Sequence, residues 1–329
     1  MAKGTNQKRK LLYLAQIFSE ETDEDHGLTL AEIAQRLSRL DINAERKTLY
    51  QDFEELRRFG MDICTNQEGK SFRYFLGSRT FQLPELKLLV DAVQSSRFIP
   101  EQKSRELIKK LETLTSRSNA NQLQRQVLIA GRIKTMNESI YYNVDGLHTA
   151  IAKERQIQFR YFRWGPDKTM ILRHNGEPYT VSPWHLCWDD ENYYLVAYDS
   201  ASGRIKHYRV DKMKNITITD LPRDGAETME HLDLTIYTRR LFGMFGGEPI
   251  RVTLEGDDDM INVLIDRFGD EIPLSRKDGD RVETRVDVAV SPQFLGWVAS
   301  FGGKLTVTSP PSVKEQMRTL ARKLSEQYE

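Results

Sequence analysis

Little in this 329-residue chain is in excess, and each scarcity removes a class of protein. Two cysteines, Cys64 and Cys187, are too few and too far apart for a disulfide scaffold, and they suit a reducing compartment. No window approaches the roughly 20 apolar residues that a membrane helix requires. The leading stretch MAKGTNQKRKLLYLAQIFSEE has a basic start, but its short amphipathic apolar patch runs straight into acids. That is not the pattern of a secretory signal, so a cytoplasmic protein is expected. The six histidines (His26, His148, His174, His185, His207 and His231) show no pair at metal-ligand spacing and no cysteine partner. No glycine-rich phosphate loop precedes a helix, and there is no nucleophile elbow. The triplet Asp257-Asp258-Asp259 stands where a helix should begin, a place where the helix dipole favours carboxylates. No enzyme, metal or cofactor is expected.

Net charge is absent too, with 48 Lys+Arg against 48 Asp+Glu. Distribution matters more than the total. Residues 1–79 hold 13 basic and 13 acidic residues, residues 80–219 hold 21 and 15, and residues 220–329 hold 14 and 20. The neutral sum hides a basic middle and an acidic end. Five acids of the first segment crowd into EETDED at 20–25, which leaves the flanking helices more basic.

What is present is periodicity. Residues 7–19 repeat Leu11, Leu12, Leu14, Ala15 and Phe18 at helical spacing. Thr29-Leu30-Ala31-Glu32 is a capping box, opening a helix with Leu30, Ile33, Ala34 and Leu37 inward. After SRLDIN, Asn43 is positioned to cap a third helix, AERKTLYQDFEELRRFG, which Gly60 ends. Two β-like runs follow, 62–65 and 71–76, around the turn NQEGK. Helix, helix, helix and a two-stranded wing is the winged helix-turn-helix order. In the third helix Leu49, Phe53 and Leu56 face inward. Arg46, Lys47, Thr48, Tyr50 and Gln51 are left to reach base edges and phosphates, with Arg73 on the wing beside them.

Two more amphipathic helices, 84–97 and 101–115, carry no motif. Their stripe of Leu86, Leu89, Val90 and Val93 suits a bridge between domains or a partner subunit, and SRSNANQLQRQ after them is a candidate hinge. From Ile157 the period changes to two. QIQFRYFRW is a strand, 168–174 and 177–182 flank Asn175-Gly176 as a hairpin, and 184–188 and 193–198 flank the acidic turn DDEN. Residues 205–210 and NITIT add two strands behind a helix at 146–154. Short strands with tight turns describe a small barrel. Beyond Asp220 the strand at 249–254, helix 257–268, strands near 272–275 and 282–290, helix 292–300, strand 304–308 and helix 311–328 give an α+β sandwich.

Tyr193 and Tyr194 sit side by side in one strand, so they point to opposite faces. A barrel interior should take the side with Leu195 and Ala197, which makes Tyr193 the packing residue and Tyr194 the ligand candidate. The neighbouring strand adds Lys206, His207 and Arg209, a composition suited to phosphates and stacked bases.

The segments Tyr193-Tyr194-Leu195-Val196-Ala197 and Lys206-His207-Tyr208-Arg209-Val210-Asp211-Lys212, with Pro183 before them, resemble the signature of the bacterial WYL-domain transcriptional regulators. Tyr193 replaces the name-giving Trp. Lys206 and Lys212 stand where Arg is frequent, and lose its planar fork. KTLYQDFEELRRFG resembles that family's recognition helix, with Gln51 where Arg is common. GWVASFGGKLTVTSPPSVKEQMRTLARKLSEQY resembles its C-terminal extension. The resemblance implies an Sm-like or SH3-like barrel, a ligand-sensing role for it, a homodimer, and nucleic-acid or nucleotide effectors.

The expectation is therefore a multi-domain α and β protein. A winged helix-turn-helix occupies 1–80, a helical linker or dimerisation segment 81–134, the WYL domain 135–220 and an α+β extension 221–329. Its function is expected to be sequence-specific binding of double-stranded operator DNA as a homodimeric transcriptional regulator, taken as a repressor although the resemblance does not give the direction. An anionic effector is expected at Tyr161, Ser182, Tyr194, Lys206, His207 and Arg209. The alternative is a non-regulatory adaptor whose barrel holds single-stranded nucleic acid.

Overall fold

The computed structural model describes residues 5–123, 134, 139–230, 232–277 and 279–329. Two compact units divide the chain, Met1–Met136 and Asn137–Glu329. Mixed α and β structure is the rule: helices lead, and antiparallel sheets follow.

The first unit begins with α1 (Thr5–Glu21), α2 (Leu30–Ser38) and α3 (Arg46–Arg58), then the hairpin β1 (Ile63–Glu68) and β2 (Ser71–Leu76). The capping box of α2 is formed in both directions. Thr29 N–H donates to the Glu32 carboxylate at 2.7 Å and Glu32 N–H donates to the Thr29 hydroxyl at 3.3 Å. Asn43 does not cap α3. The cap residue is Glu45, in extended backbone and without a side-chain bond, and the helix starts two residues later than expected. Leu49, Phe53 and Leu56 do face inward, where they meet Leu14, Phe18, Ile33 and Leu37. Phe18 and Phe53 stack edge to face at 5.2 Å. Lys10 is buried in this core with its Nζ 2.6 Å from Asp52 Oδ2.

Three further helices complete the unit: α4 (Leu83–Ser95), α5 (Glu101–Glu112) and α6 (Arg117–Leu123). Leu86 and Val90 are consumed inside this bundle against Leu123, Ile108 and Leu111, so half of the expected stripe is spent within the chain. Leu89 of the same stripe stays exposed, beside Leu88. The expected hinge starts as helix α6; its last residues, 124–126, lie outside the described residues, as do 127–133 and 135–138 at the expected junction with the next domain. The acidic loop is built into the fold. Asp23 is buried and accepts a hydrogen bond from the Ser116 hydroxyl, and Arg117 pairs with Glu20 at 2.7 Å.

The second unit opens with α7 (Ile140–Ala152), six residues earlier than expected, packed on a six-stranded antiparallel sheet. Its strands are β3 (Arg155–Trp164), β4 (Met170–Leu172), β5 (Tyr179–Asp189), β6 (Asn192–Asp199), β7 (Arg204–Arg209) and β8 (Met213–Pro222). The order is β4-β3-β5-β6-β7, and β8 also pairs β3. The sheet curls because β3 is shared among three neighbours along its length and register shifts interrupt β3–β8 and β5–β6. The Asn175-Gly176 hairpin is not formed. β4 pairs β3 rather than β5, and His174, Asn175 and Gly176 all have positive φ in a 3-10 turn that redirects the chain. The left-handed preference of Asn-Gly is used, but for a corner. At the acidic turn, Asp190 and Glu191 both have positive φ between the paired Asp189 and Asn192, the geometry of a two-residue hairpin.

A connecting strap holds two short helices, α8 (Ala226–Met229) and α9 (Leu234–Arg240). The final layer is β9 (Pro249–Asp257), α10 (Met260–Phe268), β10 (Leu274–Arg276), β11 (Arg281–Ala289), α11 (Pro292–Ala299), β12 (Leu305–Ser309) and α12 (Pro311–Tyr328), with sheet order β10-β11-β9-β12. Helices α10, α11 and α12 share one core with β9, β11 and β12 through Leu264, Phe294, Val313, Val252, Val286 and Val307. The acidic triplet straddles the end of β9 and the start of α10, with Asp259 paired to Lys304 and Asp258 to Arg276.

Candidate nucleic-acid and effector sites

Helix α3 presents Arg46, Lys47, Tyr50 and Gln51 to solvent on its first two turns. Inward pull on Leu49 and Phe53 fixes that rotation. Thr48 differs: it is half-buried and its hydroxyl donates to the Glu45 carbonyl at 2.8 Å, which engages the side chain within the first turn. Arg73 is engaged inside the fold. Its Nη1 donates to Gly27 O at 2.9 Å and lies 3.6 Å from Glu32, while its Nε meets Glu68. It clamps the hairpin to the loop before α2.

Between α2, α3 and the hairpin lies a groove of about 410 Å³. Arg46, Tyr50 and Lys70 stand on its rim and Leu30, Phe72 and Tyr74 help form its floor. Sequence reasoning missed Lys70, Phe72 and Tyr74. A signal was there: Phe72, Tyr74 and Leu76 share one strand face, yet Phe72 is 50% exposed while the other two are buried. Tyr74 hydroxyl donates to Tyr50 hydroxyl at 3.4 Å. That bond, and then Arg46 beside it, holds the Tyr50 phenol below its ordinary pKa, while burial first and the bond to Tyr50 second push Tyr74 up to about 12.

On the curled sheet the six expected effector residues do not form one surface. Tyr194 is 9% exposed, packed with Trp184, Cys187, Val196, Met229, Leu241 and Met244, whereas Tyr193 is half-buried and lies edge-on to Trp188 at 4.7 Å. The expected division of the two tyrosines is reversed. Leu195 does face the interior, but the strap covers the other face as well, and alternation cannot reveal a second cover. His207 lies under that strap, its Nε2 3.2 Å from the Tyr237 hydroxyl; burial pushes its pKa down to about 4, so it is neutral at physiological pH. Lys206 is paired to the buried Asp199. Ser182 is fully buried and its hydroxyl accepts from Asp224 N–H at 2.8 Å.

Arg209 and Tyr161 do come together. Arg209 N–H donates to the Tyr161 hydroxyl at 3.1 Å, and Tyr194 is the cross-strand partner of Arg209. The Arg209 guanidinium makes a two-pronged contact with Asp211 at 3.0 and 2.9 Å, and reaches Asn192 Oδ1 at 2.7 Å. Nearby, Phe159, Tyr161, Tyr179 and Tyr208 form an aromatic group with ring centroids 5.0–6.3 Å apart. Among the described residues no cluster of three or more His, Cys, Asp or Glu is placed to hold a metal, and no helix is long and apolar enough to cross a membrane.

The strap is tied down at Asp224. Trp184 Nε1 donates to its carbonyl at 2.8 Å, and Ser200 and Gln156 donate to its carboxylate at 2.6 and 3.1 Å. Arg223 lies over the Trp184 ring at 3.7 Å.

Two family models match the chain: the WYL domain over residues 143–218 and the WCX domain over residues 248–325. Among solved structures, proteasome accessory factor B/C (PafBC) of Arthrobacter aurescens is 15% identical with a TM-score of 0.28, covering 98% of this chain and 49% of that one. The chain thus spans about half the length of PafBC. A CRISPR Cas-related protein is 14% identical with a TM-score of 0.39, covering 89% of this chain and 76% of that one. No curated protein sequence matches.

Proposed function

We propose that this chain, which carries a WYL domain followed by a WCX domain, is a transcriptional regulator that binds double-stranded DNA sequence-specifically as a homodimer. It acts by binding rather than by turnover. The observation that carries the reading is the exposed row Arg46, Lys47, Tyr50 and Gln51 on α3, flanked by the groove and the hairpin. Three helices and a hairpin in this order make a winged helix-turn-helix, whose third helix enters the major groove. Gln51 offers the paired donor and acceptor that suit adenine, and Lys47 a point charge for phosphate. Gln51→Ala should relax base preference at one position per half-site at a cost of about 1–3 kcal/mol. Lys47→Ala should weaken every sequence alike and lower the salt slope by about 0.9. Footprinting on the chain's own promoter region, with binding isotherms across a salt series, checks both; a triple alanine variant at Arg46, Lys47 and Gln51 with unchanged affinity sinks the reading. Sedimentation at micromolar concentration checks the dimer.

The effector is anionic, a nucleotide or short nucleic acid, and enters at the part-exposed Arg209 guanidinium, beside Tyr161 and not at the buried Tyr194. Arg209 is occupied by Asp211, so an incoming phosphate displaces a carboxylate. Exchange of one anion for another on the same guanidinium is a workable switch, because the charge-assisted bonds are of similar strength. Arg209→Ala should cut affinity for short single-stranded DNA, short RNA or cyclic nucleotides about tenfold or more, and Asp211→Asn should raise it. Calorimetry on the full chain at low salt measures both. Binding indifferent to both changes would place the effector elsewhere.

A further inference from the structure

The hydrogen-bonding pattern in the groove beside α3 specifies what lies opposite Tyr50. A phenol oxygen has two acceptor positions and one proton to give. Tyr74 supplies one donor to the Tyr50 oxygen at 3.4 Å, and Arg46 lies beside the same hydroxyl as a second donor. With its acceptor side engaged, Tyr50 turns a donor outward. Arg46 and Lys70 on the same rim are donors only. No carboxylate lines the groove among the described residues, and its floor is apolar, including Leu30, Ala34 and Phe72. Thr29 and Ser71, which also line the groove, can donate or accept, so the occupant that best fits Tyr50, Arg46 and Lys70 presents acceptors, carries negative charge, and offers an apolar body to the floor.

We propose that this groove is the seat of one sugar-phosphate unit of the DNA backbone, with Tyr50 and Arg46 donating to the phosphate, Lys70 closing from the hairpin and Phe72 against the deoxyribose. Tyr50 is then a phosphate ligand, not a reader of base edges. Tyr74 is a positioning residue: it touches no DNA, but its buried hydroxyl sets the direction in which Tyr50 donates. Because Tyr74 belongs to β2 and Tyr50 to α3, one hydrogen bond couples the hairpin to the helix. This inference rests on the reading of the head as a DNA-binding domain.

The test uses the full chain and a labelled duplex from its own promoter region. Tyr74→Phe keeps the ring packed 5.1 Å from Phe53 and removes only the hydroxyl. It should weaken binding about threefold, Tyr50→Phe about tenfold, and the double variant no more than Tyr50→Phe alone. Neither change should alter the salt slope, whereas Arg46→Ala should lower it by about 0.9. Neutral methylphosphonate linkages walked along the duplex should locate one position per half-site where the native chain loses affinity and Tyr50→Phe loses distinctly less. A purely packing role for Tyr74 predicts unchanged affinity in Tyr74→Phe, which overturns the proposal. So do losses that multiply in the double variant, or a methylphosphonate scan identical for native chain and Tyr50→Phe. Failure of the native chain to bind the duplex even at low salt defeats the underlying reading instead.

Discussion

Replacing Lys10 with alanine should cost the amino-terminal unit about 3–5 kcal/mol, close to the whole stability of many domains. Lys10 is 1% exposed, an unusual place for an ammonium, and Asp52 is its partner at 2.6 Å. The Asp52 Oδ2 atom is buried and makes no well-directed hydrogen bond, so its compensation is the charge of Lys10 alone. Truncating the lysine leaves the buried Oδ2 of that carboxylate without its partner, and a stranded buried charge is far more costly than the pair is valuable. The double change Lys10→Met with Asp52→Leu should recover most of the loss. Urea denaturation of the three variants reads this directly. A single-variant loss under about 1 kcal/mol would mean that water reaches the pair, as it does for surface ion pairs.

Gly225→Ala should destabilise the second unit by about 2–5 kcal/mol, the sum of a left-handed backbone penalty and an overpacked contact. Gly225 has φ of +87°, and a β-carbon there would stand 2.3 Å from Cγ and 2.8 Å from Cβ of Tyr198. Those atoms are the root of the ring, which cannot swing aside as a side-chain tip can. The residue sits next to Asp224, where four hydrogen bonds fasten the strap. Relief of the clash therefore lifts the strap from Tyr194, Val196 and His207. Thermal denaturation should show the loss, and limited proteolysis should cut the 223–248 segment sooner. A melting temperature within about 2 °C of the native chain would show that the strap shifts without cost.

Much of this was legible in the residues. The capping box at Thr29, the inward trio Leu49, Phe53 and Leu56, and the presence of a turn within DDEN all obey local rules that act within a few residues. Tyr194 was not legible, because its burial comes from Met229, Leu241 and Met244, more than thirty residues away. Period-two reasoning assumes one wet face, and β6 has none. Asn175-Gly176 misled for another reason: its backbone preference is real, but it fixes a local conformation and not a pairing partner. At the head, exposure of α3 followed from amphipathicity, while the engagement of Thr48 and Arg73 depended on hydrogen bonds that composition does not encode.

The strap has a consequence for how such a chain can be assembled over evolution. A recombination event joining the curled sheet to a new partner after residue 220 would deliver a sheet stripped of the apolar covering that Met229, Leu241 and Met244 supply, with Val196 and Tyr194 open to water. Such a fusion would be aggregation-prone at birth. Gene shuffling is thus confined to breakpoints that carry residues 223–246 along with the sheet, or that keep both modules together. Curled sheet and extension are heritable as one cassette, whatever head domain precedes them.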